Sequence, residues 1–318
     1  MKVVTLLPSA TEIVCRLGME SSLVGVSHEC DFPESISALP HLTSSRINVR
    51  ASSGEIHQSV EDILKSTVSI YDLNVELLQE LQPDIVITQD LCDVCAVSFD
   101  KVEEACRTLT GKEVKIISLR PRGWGDIWDD VARVAEALGA QDTCRSLMME
   151  VQERIRTVRD RVISKKPPRR KVLAIEWIDP VMAGGLWLPE MIEMIRCEAL
   201  EAKAGMNAVT LSKERLNEIN PDVVIVKPCG YKMSKTLSEI EALKGAAPWS
   251  GWKAGINNET YLVDGNSYFN RPGPRLLDSL EILAACVHPD LFPEFESRYA
   301  ASVIRAGGRE SIPSLATA

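Results

Sequence analysis

The chain has 318 residues, of which 45% are hydrophobic and 25% charged, and its formal net charge is -9. This length suits two domains of roughly 120–150 residues each. An acidic chain without a basic footprint is not expected to bind nucleic acid. The chain also lacks an apolar run of about 18 residues, so we do not expect it to be embedded in a membrane.

The beginning of the sequence carries a short apolar run at residues 3–7, which Pro8 stops. A secretory signal needs a longer apolar core and a small-residue cleavage site. We therefore expect a cytoplasmic protein, and a periplasmic one only if a leader has been removed. The nine cysteines are an odd number without dense spacing, which fits reduced thiols in the cytoplasm.

Predicted strands and helices alternate along the first part of the chain. Residues 3–7 predict a strand, and Ser9 with Glu12 predicts a capping box that opens a helix. A second predicted strand at 23–26 leads into about 25 polar residues, which we expect to form a long surface loop. The β-branched run at 85–87, behind Pro-Asp, predicts a strand buried on both faces, as in a parallel sheet.

A long helix separates two similar parts of the chain. Apolar residues at steps of three and four predict a helix from about Asp142 to Ser164, roughly 34 Å long. The segment 83–95 has a near copy at 221–230, and both start with Pro-Asp, continue with a β-branched run and then carry cysteine. We therefore predict an α/β fold of two lobes with parallel sheets, joined by the helix. The predicted first lobe, bridging helices, second lobe and disordered tail are residues 1–124, 125–165, 166–304 and 305–318.

Cysteines follow three of the predicted strands. They are Cys30, the pair Cys92 and Cys95, and Cys229, and His28 lies just before Cys30. Ligands of open parallel sheets bind beyond the carboxyl ends of the strands, and thiolates suit zinc and iron–sulfur clusters. One hypothesis is therefore a zinc or iron–sulfur site of the four cysteines, with His28 as a reserve ligand. The alternatives are a redox disulfide between Cys92 and Cys95, or small buried thiols without a site.

Further candidate ligand-binding residues lie at the ends of predicted strands or the starts of helices. The first helix offers an amino terminus that attracts anions, unless it is an ordinary cap. Aromatic residues there suit the wall of a large flat ligand, or packing between lobes. Two arginines around Pro-Gly-Pro suit a grip on carboxylates, or salt bridges at the surface. These candidates are Pro8, Ser9, Thr11, Glu12, Trp124, Trp177, Trp187, Tyr268, Phe269, Arg271 and Arg275.

Four segments in order along the chain resemble a known family. They are VVTLLPSATE at 3–12, LVGVS at 23–27, PDIVI at 83–87 and RPGPR at 271–275. Over roughly residues 1–290 the chain resembles the cobalamin-binding proteins of the solute-binding class that serves cobalamin, siderophore and haem ABC importers. The segments SHECD at 27–31 and QDLCDVC at 89–95 look most like a signal-peptide-free branch.

The resemblance implies two Rossmann-like lobes bridged by one long helix, with a corrinoid or related metal-containing ligand in the cleft and an ABC permease as a partner. It implies that residues 8–12 and 271–275 line the cleft. We expect a monomer with a small-molecule ligand. No enzyme signature is present, so we expect no catalytic residues. Two other interpretations stay open: a cytosolic metal or iron–sulfur redox protein, and a cytosolic carrier that hands its ligand to an enzyme.

Overall fold

The chain folds into two compact α/β units. The computed structural model describes residues 1–65, 69–89, 98–107 and 113–306. Unit 1 contains residues 1–51, 55–121 and 125–150. Unit 2 contains residues 52–54, 122–124 and the chain from Val151 onward. The predicted α/β fold with parallel sheets is confirmed.

Unit 1 is built on a parallel sheet. Its strands are β1 (Val3–Thr5), β2 (Leu23–Val26), β3 (Thr43–Ser45), β4 (Tyr71–Leu73), β5 (Ile85–Gln89) and β6 (Lys115–Leu119). Four of them form the sheet in the order β2-β1-β5-β6, and β3 pairs with β4 in a separate antiparallel ribbon. Every residue of β5 is buried, as the continuous β-branched run predicts for a central parallel strand.

Helices cover the unit 1 sheet. They are α1 (Pro8–Arg16), α2 (Ser53–Lys65), α3 (Val75–Leu81), α4 (Phe99–Arg107) and α5 (Trp124–Leu138), with 3-10 turns at Glu20–Ser22 and Glu34–Ala38. The next helix, α6 (Gln141–Lys165), is the predicted long helix, and the division between the two units falls between its Glu150 and Val151. A buried cluster joins the sheet to α3 and α4 through Val86, Leu78 and Val102.

Two local predictions in this half of the chain are wrong. The capping box does not form, because Pro8 takes the first turn of α1 and Leu7 becomes the N-cap, without a side-chain cap. Proline suits that position because its ring fixes a helical φ and it has no amide proton to leave unpaired. The long polar stretch is also not one loop, since it contains β3 and the start of α2.

Unit 2 is built on a mixed sheet of seven strands. They are β7 (Lys171–Trp177), β8 (Met182–Ala183), β9 (Glu198–Ala199), β10 (Val209–Thr210), β11 (Val223–Val226), β12 (Thr260–Val263) and β13 (Val303–Ala306). The main order is β10-β8-β7-β11-β12-β13, and β9 pairs with β7. The central strands β7, β11 and β12 are parallel, whereas β13 is antiparallel and includes Arg305 and Ala306, which the sequence placed in a disordered tail.

A buried helix forms much of the unit 2 core. The helices are α7 (Leu188–Met194), α8 (Lys213–Glu218), α9 (Met233–Ser238), α10 (Ile240–Ala246), α11 (Lys253–Ile256), α12 (Leu276–Val287) and α13 (Pro293–Arg298), with 3-10 turns at Pro289–Leu291 and Ala300–Ser302. On α12 even Glu281 is buried, and it accepts hydrogen bonds from Arg154, Arg298 and Tyr299 at 2.7 Å each. Among the helices that the structure describes, none has the length and apolar character needed to cross a membrane.

The repeat seen in the sequence corresponds to a helix followed by a buried strand. α3 leads into β5 and α8 leads into β11. Each helix has a matched N-cap: the Asn74 side chain accepts a hydrogen bond from the Leu77 amide at 2.9 Å, and Ser212 Oγ accepts one from the Arg215 amide at 3.2 Å.

Removing either cap should therefore destabilise its own unit. We expect Asn74→Ala and Ser212→Ala each to lower the free energy of unfolding by about 1 kcal/mol, because a helix amide loses its acceptor. Urea unfolding gives the size, and peptide-resolved hydrogen exchange shows which unit is affected. Ser234→Ala, at an exposed position inside α9, is the control and should cause no loss. Unchanged exchange at Leu77 and Arg215 would contradict the assignment.

Candidate ligand-binding site

The carboxyl ends of the parallel strands collect polar side chains in each unit. In open α/β sheets this edge is where ligands bind. In unit 1 it is formed by the residues that follow β1 and β2, and in unit 2 by those that follow β7, β11 and β12.

At the end of β1, buried hydroxyls join α1 to the strand. Thr11 Oγ1 lies 2.7 Å from Thr5 Oγ1 and 3.0 Å from Cys30 Sγ, and all three side chains are buried. Glu12 is also buried, and Ser9 Oγ is a buried hydroxyl for which the described part of the chain offers no hydrogen-bond partner. Thr11 and Cys30 therefore hold the loop after β2 against α1.

His28, after β2, is oriented by a threonine on β3. Its Nδ1 lies 2.6 Å from Thr43 Oγ1, and its backbone amide donates to the same oxygen at 3.1 Å. Thr43 Oγ1 also lies 2.9 Å from Ser27 Oγ. Burial, with a smaller contribution from His41, lowers the pKa of His28 below its ordinary value. The neutral ring is thus favoured.

The predicted cysteine site gains no support from the described residues. Cys92 and Cys95 lie outside them, so their placement is not described. Cys30 belongs to unit 1 and the half-buried Cys229 to unit 2. Within residues 1–65, 69–89, 98–107 and 113–306, no group of three or more histidine, cysteine or carboxylate side chains is placed to hold a metal ion. The four-cysteine site stays a prediction.

At the end of β11, unit 2 buries a lysine that the sequence analysis missed. Lys227 is 1% exposed, and its Nζ donates to Glu176 Oε2 at 2.5 Å and to Asn270 Oδ1 at 2.7 Å. Asn270 Nδ2 in turn donates to the Gly265 carbonyl at 2.8 Å. A buried ammonium is tolerated only when paired and hydrogen-bonded. The available signal was a lysine directly after a β-branched run.

The segment after β12 packs closely on the end of β11. A Cβ added at Gly265 would lie 2.0 Å from the Pro228 carbonyl oxygen, so only glycine fits there. Arg271 is 7% exposed and donates to Asn266 Oδ1 at 2.9 Å. The Arg275 guanidinium lies 6.0 Å from the centre of the Tyr268 ring, which is half-buried.

The candidate aromatic residues divide into buried and half-buried ones. Trp187 is buried and its Nε1 donates to the carbonyl of Phe269, itself 1% exposed, at 2.9 Å. Trp124 is buried as well. Trp177 is half-buried, and its ring meets the edge of Tyr231 at 5.3 Å between centroids. Of the five aromatic candidates, Trp177 and Tyr268 thus keep the most accessible surface, and the half-buried Pro8 is the most accessible of the four candidates on α1.

Two glutamates of unit 2 accept backbone amides at helix starts. Glu239 Oε2 accepts from the Ser53 amide at 2.9 Å, while Oε1 accepts from Tyr231 and Lys235. Glu190 Oε2 accepts from the Trp124 amide at 2.7 Å. A carboxylate is favourable at a helix amino terminus because unpaired amides and the helix dipole converge there.

Comparison with known proteins identifies the family. The profile of a family described as periplasmic binding protein matches residues 3–266. The chain belongs to this family. The chain is 22% identical to an uncharacterized ABC transporter substrate-binding lipoprotein of Bacillus subtilis. The match covers 92% of this chain and 82% of the relative.

Several solved structures share the fold of this chain. An apo haem-binding protein from Roseiflexus sp. RS-1 has a TM-score of 0.68 at 21% identity, covering 91% of this chain and 98% of that one. The vitamin B12 binding protein of Vibrio cholerae has a TM-score of 0.63 at 16% identity, covering 90% and 96%. These similarities show that the chain shares the fold of those proteins. Its family makes it a binding protein, and not an enzyme.

The predicted cytoplasmic location is wrong. The matched family is described as periplasmic, and the relatives include a lipoprotein and a periplasmic vitamin B12 binding protein. The prediction depended on the short apolar run at residues 3–7. Residues 3–5 of that run form β1, a central strand of the unit 1 sheet. The run is therefore explained by burial in the sheet and carries no information about the compartment.

Removing the buried ammonium should destabilise unit 2. We expect Lys227→Met to lower the free energy of unfolding by about 2–3 kcal/mol, because Glu176 and Asn270 lose a charged donor. The double variant Lys227→Met/Glu176→Gln should recover part of this loss, since no unpaired charge remains. Urea unfolding measures both. Lys232→Met, at an exposed lysine, is the control, and an equal loss there would contradict the assignment.

Glu239 should make stability depend on pH. Burial raises the pKa of Glu239, but the hydrogen bonds from Lys235 and Ser53 outweigh burial and hold the pKa below its ordinary value. The carboxylate therefore stabilises the fold above the unfolded-state pKa, and this contribution is lost as the pH falls through the folded-state pKa. The unfolding temperature of Glu239→Gln should lie below that of the unchanged protein at neutral pH, and the two should converge as the pH falls below the folded-state pKa.

The matched control for Glu239 is Glu241→Gln. The Glu241 side chain is 80% exposed, and among the residues that the structure describes it pairs with Lys244 alone. Its unfolding temperature should follow the unchanged protein at every pH, because exposed ion pairs contribute little. If the unfolding temperature of Glu239→Gln is lower than that of the unchanged protein by the same amount at every pH, the negative charge of Glu239 does not stabilise the fold.

Proposed function

We propose that this protein is the substrate-binding component of an ABC importer and that its ligand is a corrinoid. The importer role is supported by the Bacillus subtilis relative, which is described as an ABC transporter substrate-binding lipoprotein. The ligand class is supported by relatives described as vitamin B12-binding proteins, such as that of Vibrio cholerae, 20% identical over 88% of the chain. Haem is the competing ligand, since similar structures are haem-binding proteins.

The observation that carries the proposal is the polarity of the Glu176–Lys227 pair. The Glu176 side chain is 27% exposed, whereas that of Lys227 is 1% exposed. Oε2 of Glu176 accepts a hydrogen bond from Lys227, and the described residues supply no hydrogen-bond donor to Oε1. The carboxyl end of the unit 2 sheet therefore presents a hydrogen-bond acceptor and hides the cation behind it.

This polarity favours a corrinoid over haem. The rim of a corrin carries carboxamide groups, whose N–H atoms donate to a carboxylate. Haem carries propionates, which a carboxylate repels and which an outward-facing arginine would suit better. Of the two sequence candidates for that role, Arg271 is 7% exposed and donates to Asn266, whereas the half-buried Arg275 lies 6.0 Å from the centre of the Tyr268 ring. The half-buried Trp177 and Tyr268 add aromatic surface at the ends of β7 and β12.

Binding measurements separate the two ligands. Isothermal titration with cyanocobalamin and dicyanocobinamide should give a micromolar or tighter dissociation constant, which is about 8 kcal/mol or more. Hemin should bind the same protein at least about tenfold more weakly, or about 1.4 kcal/mol. Tighter binding of hemin than of either corrinoid would sink the proposal.

Neutralising Glu176 should change the preference. Glu176→Gln keeps an acceptor for Lys227 but loses the charge, so we expect corrinoid affinity to fall about tenfold, the loss of one hydrogen bond to a charged group. Hemin affinity should rise, because repulsion of its propionates is removed. Glu193→Gln, at an exposed position on α7, is the control and should change neither affinity. Circular dichroism checks that the fold is retained.

A further inference from the structure

The loop after β2 holds a histidine whose orientation is fixed from outside the loop. The segment just before β3 lies against β2: the Leu42 amide donates to the Val26 carbonyl at 2.9 Å, and Val26 bridges to His41. This backbone pairing places Thr43 Oγ1 beside the His28 ring. The position of His28 is therefore set by the sheet and not by the loop alone.

Thr43 can satisfy one ring nitrogen of His28 and leave the other available. If Nδ1–H donates to Thr43 Oγ1, the Thr43 hydroxyl can donate to Ser27 Oγ, 2.9 Å away. Ser27 Oγ also accepts from the Glu29 amide at 3.4 Å. The second ring nitrogen, Nε2, then carries a lone pair, and the part of the chain that the structure describes supplies no hydrogen-bond partner for it. Metal-binding histidines are typically oriented in this way through their other nitrogen.

An aromatic ring supports the same orientation. The Tyr71 ring lies 5.4 Å from that of His28, tilted by 54°. Its hydroxyl donates to Glu29 Oε1 at 2.8 Å, so Tyr71 is itself fixed by the His28 loop. Tyr71 lies on β4 and Thr43 on β3, and the two strands pair. The β3–β4 ribbon thus holds the imidazole from two sides.

A single histidine is enough to bind the metal of a macrocyclic ligand. A free metal ion needs three or four protein ligands, and the described residues contain no such group. A macrocycle supplies its own equatorial nitrogens, so the protein needs to add only an axial ligand, as a histidine does for haem iron. This axial role differs from the reserve zinc or iron–sulfur ligand that the sequence predicts for His28.

We propose that His28 Nε2 coordinates the cobalt of corrinoids that have an exchangeable axial ligand, such as diaquocobinamide. This inference rests on the corrinoid function proposed above. The reaction is a ligand exchange: the Nε2 lone pair forms a bond to Co(III), one Co–OH₂ bond breaks, and neutral water leaves. No oxidation state changes. The substrate range would then include corrinoids that lack their own nucleotide base.

The test compares two forms of one corrinoid. Diaquocobinamide has water at the axial positions, whereas dicyanocobinamide has both positions filled by cyanide. With the unchanged protein, the visible absorption bands of diaquocobinamide should shift on binding, because nitrogen replaces oxygen on cobalt. His28→Ala should abolish the shift and weaken diaquocobinamide binding at least about tenfold. Its affinity for dicyanocobinamide should be unchanged.

Three further variants complete the experiment. His57→Ala is the control, because His57 is another unit 1 histidine, on α2, that pairs with Glu61. It should retain the spectral shift. Thr43→Val removes the acceptor for Nδ1 and should weaken diaquocobinamide binding, whereas Thr43→Ser should retain it.

The outcomes separate this inference from the corrinoid proposal. If the unchanged protein binds dicyanocobinamide but diaquocobinamide shows no shift, or His28→Ala retains the shift, axial coordination is wrong while corrinoid binding stands. If His28→Ala loses both forms equally, His28 is a structural residue and the inference is overturned. If the unchanged protein binds neither form, both proposals fail.

Discussion

A charged amine inside a protein must be neutralised and fully hydrogen-bonded, and the carboxyl end of the unit 2 sheet is arranged around that requirement. The parallel register pairs Val226 with Ile175, so Lys227, just after β11, lies beside Glu176 near the end of β7. Asn270 completes the set and brings the segment after β12 onto the same ammonium. One electrostatic constraint thereby links three neighbouring strands and fixes the orientation of the exposed carboxylate.

The central strands could be predicted because their cause is local. A parallel strand covered on both faces needs a continuous apolar run, and such runs are visible at β5, β7 and β11. The strands β8, β9 and β10 have two residues each, too few for any periodicity. The ribbon strands β3 and β4 are largely polar and depend on pairing with each other, which no single segment reveals.

The site was predicted less well, because its important contacts join residues distant in sequence. Lys227 lies 51 positions from Glu176 and 43 from Asn270, so neither partner marks the other. The prediction of a cysteine site stays untested, and Cys30 shows why cysteine is an ambiguous signal, since its thiol is buried against Thr11. A small side chain at a strand end suits tight packing as well as it suits chemistry, and sequence alone does not separate the two. For His28, the decisive feature is the contact of its ring with Thr43, 15 positions away, which only the structure shows.

Unit 2 is discontinuous along the chain, since residues 52–54 and 122–124 belong to it while their neighbours do not. The Ser53 amide donates a hydrogen bond to the carboxylate of Glu239, and the Trp124 amide donates one to that of Glu190. A gene fragment that starts at Val151 would therefore encode most of the unit but omit one amide donor for each glutamate. A chimaera of two relatives joined at α6 would likewise pair each glutamate with an amide from a different protein, so unit 2 cannot be exchanged as the continuous segment that starts at Val151.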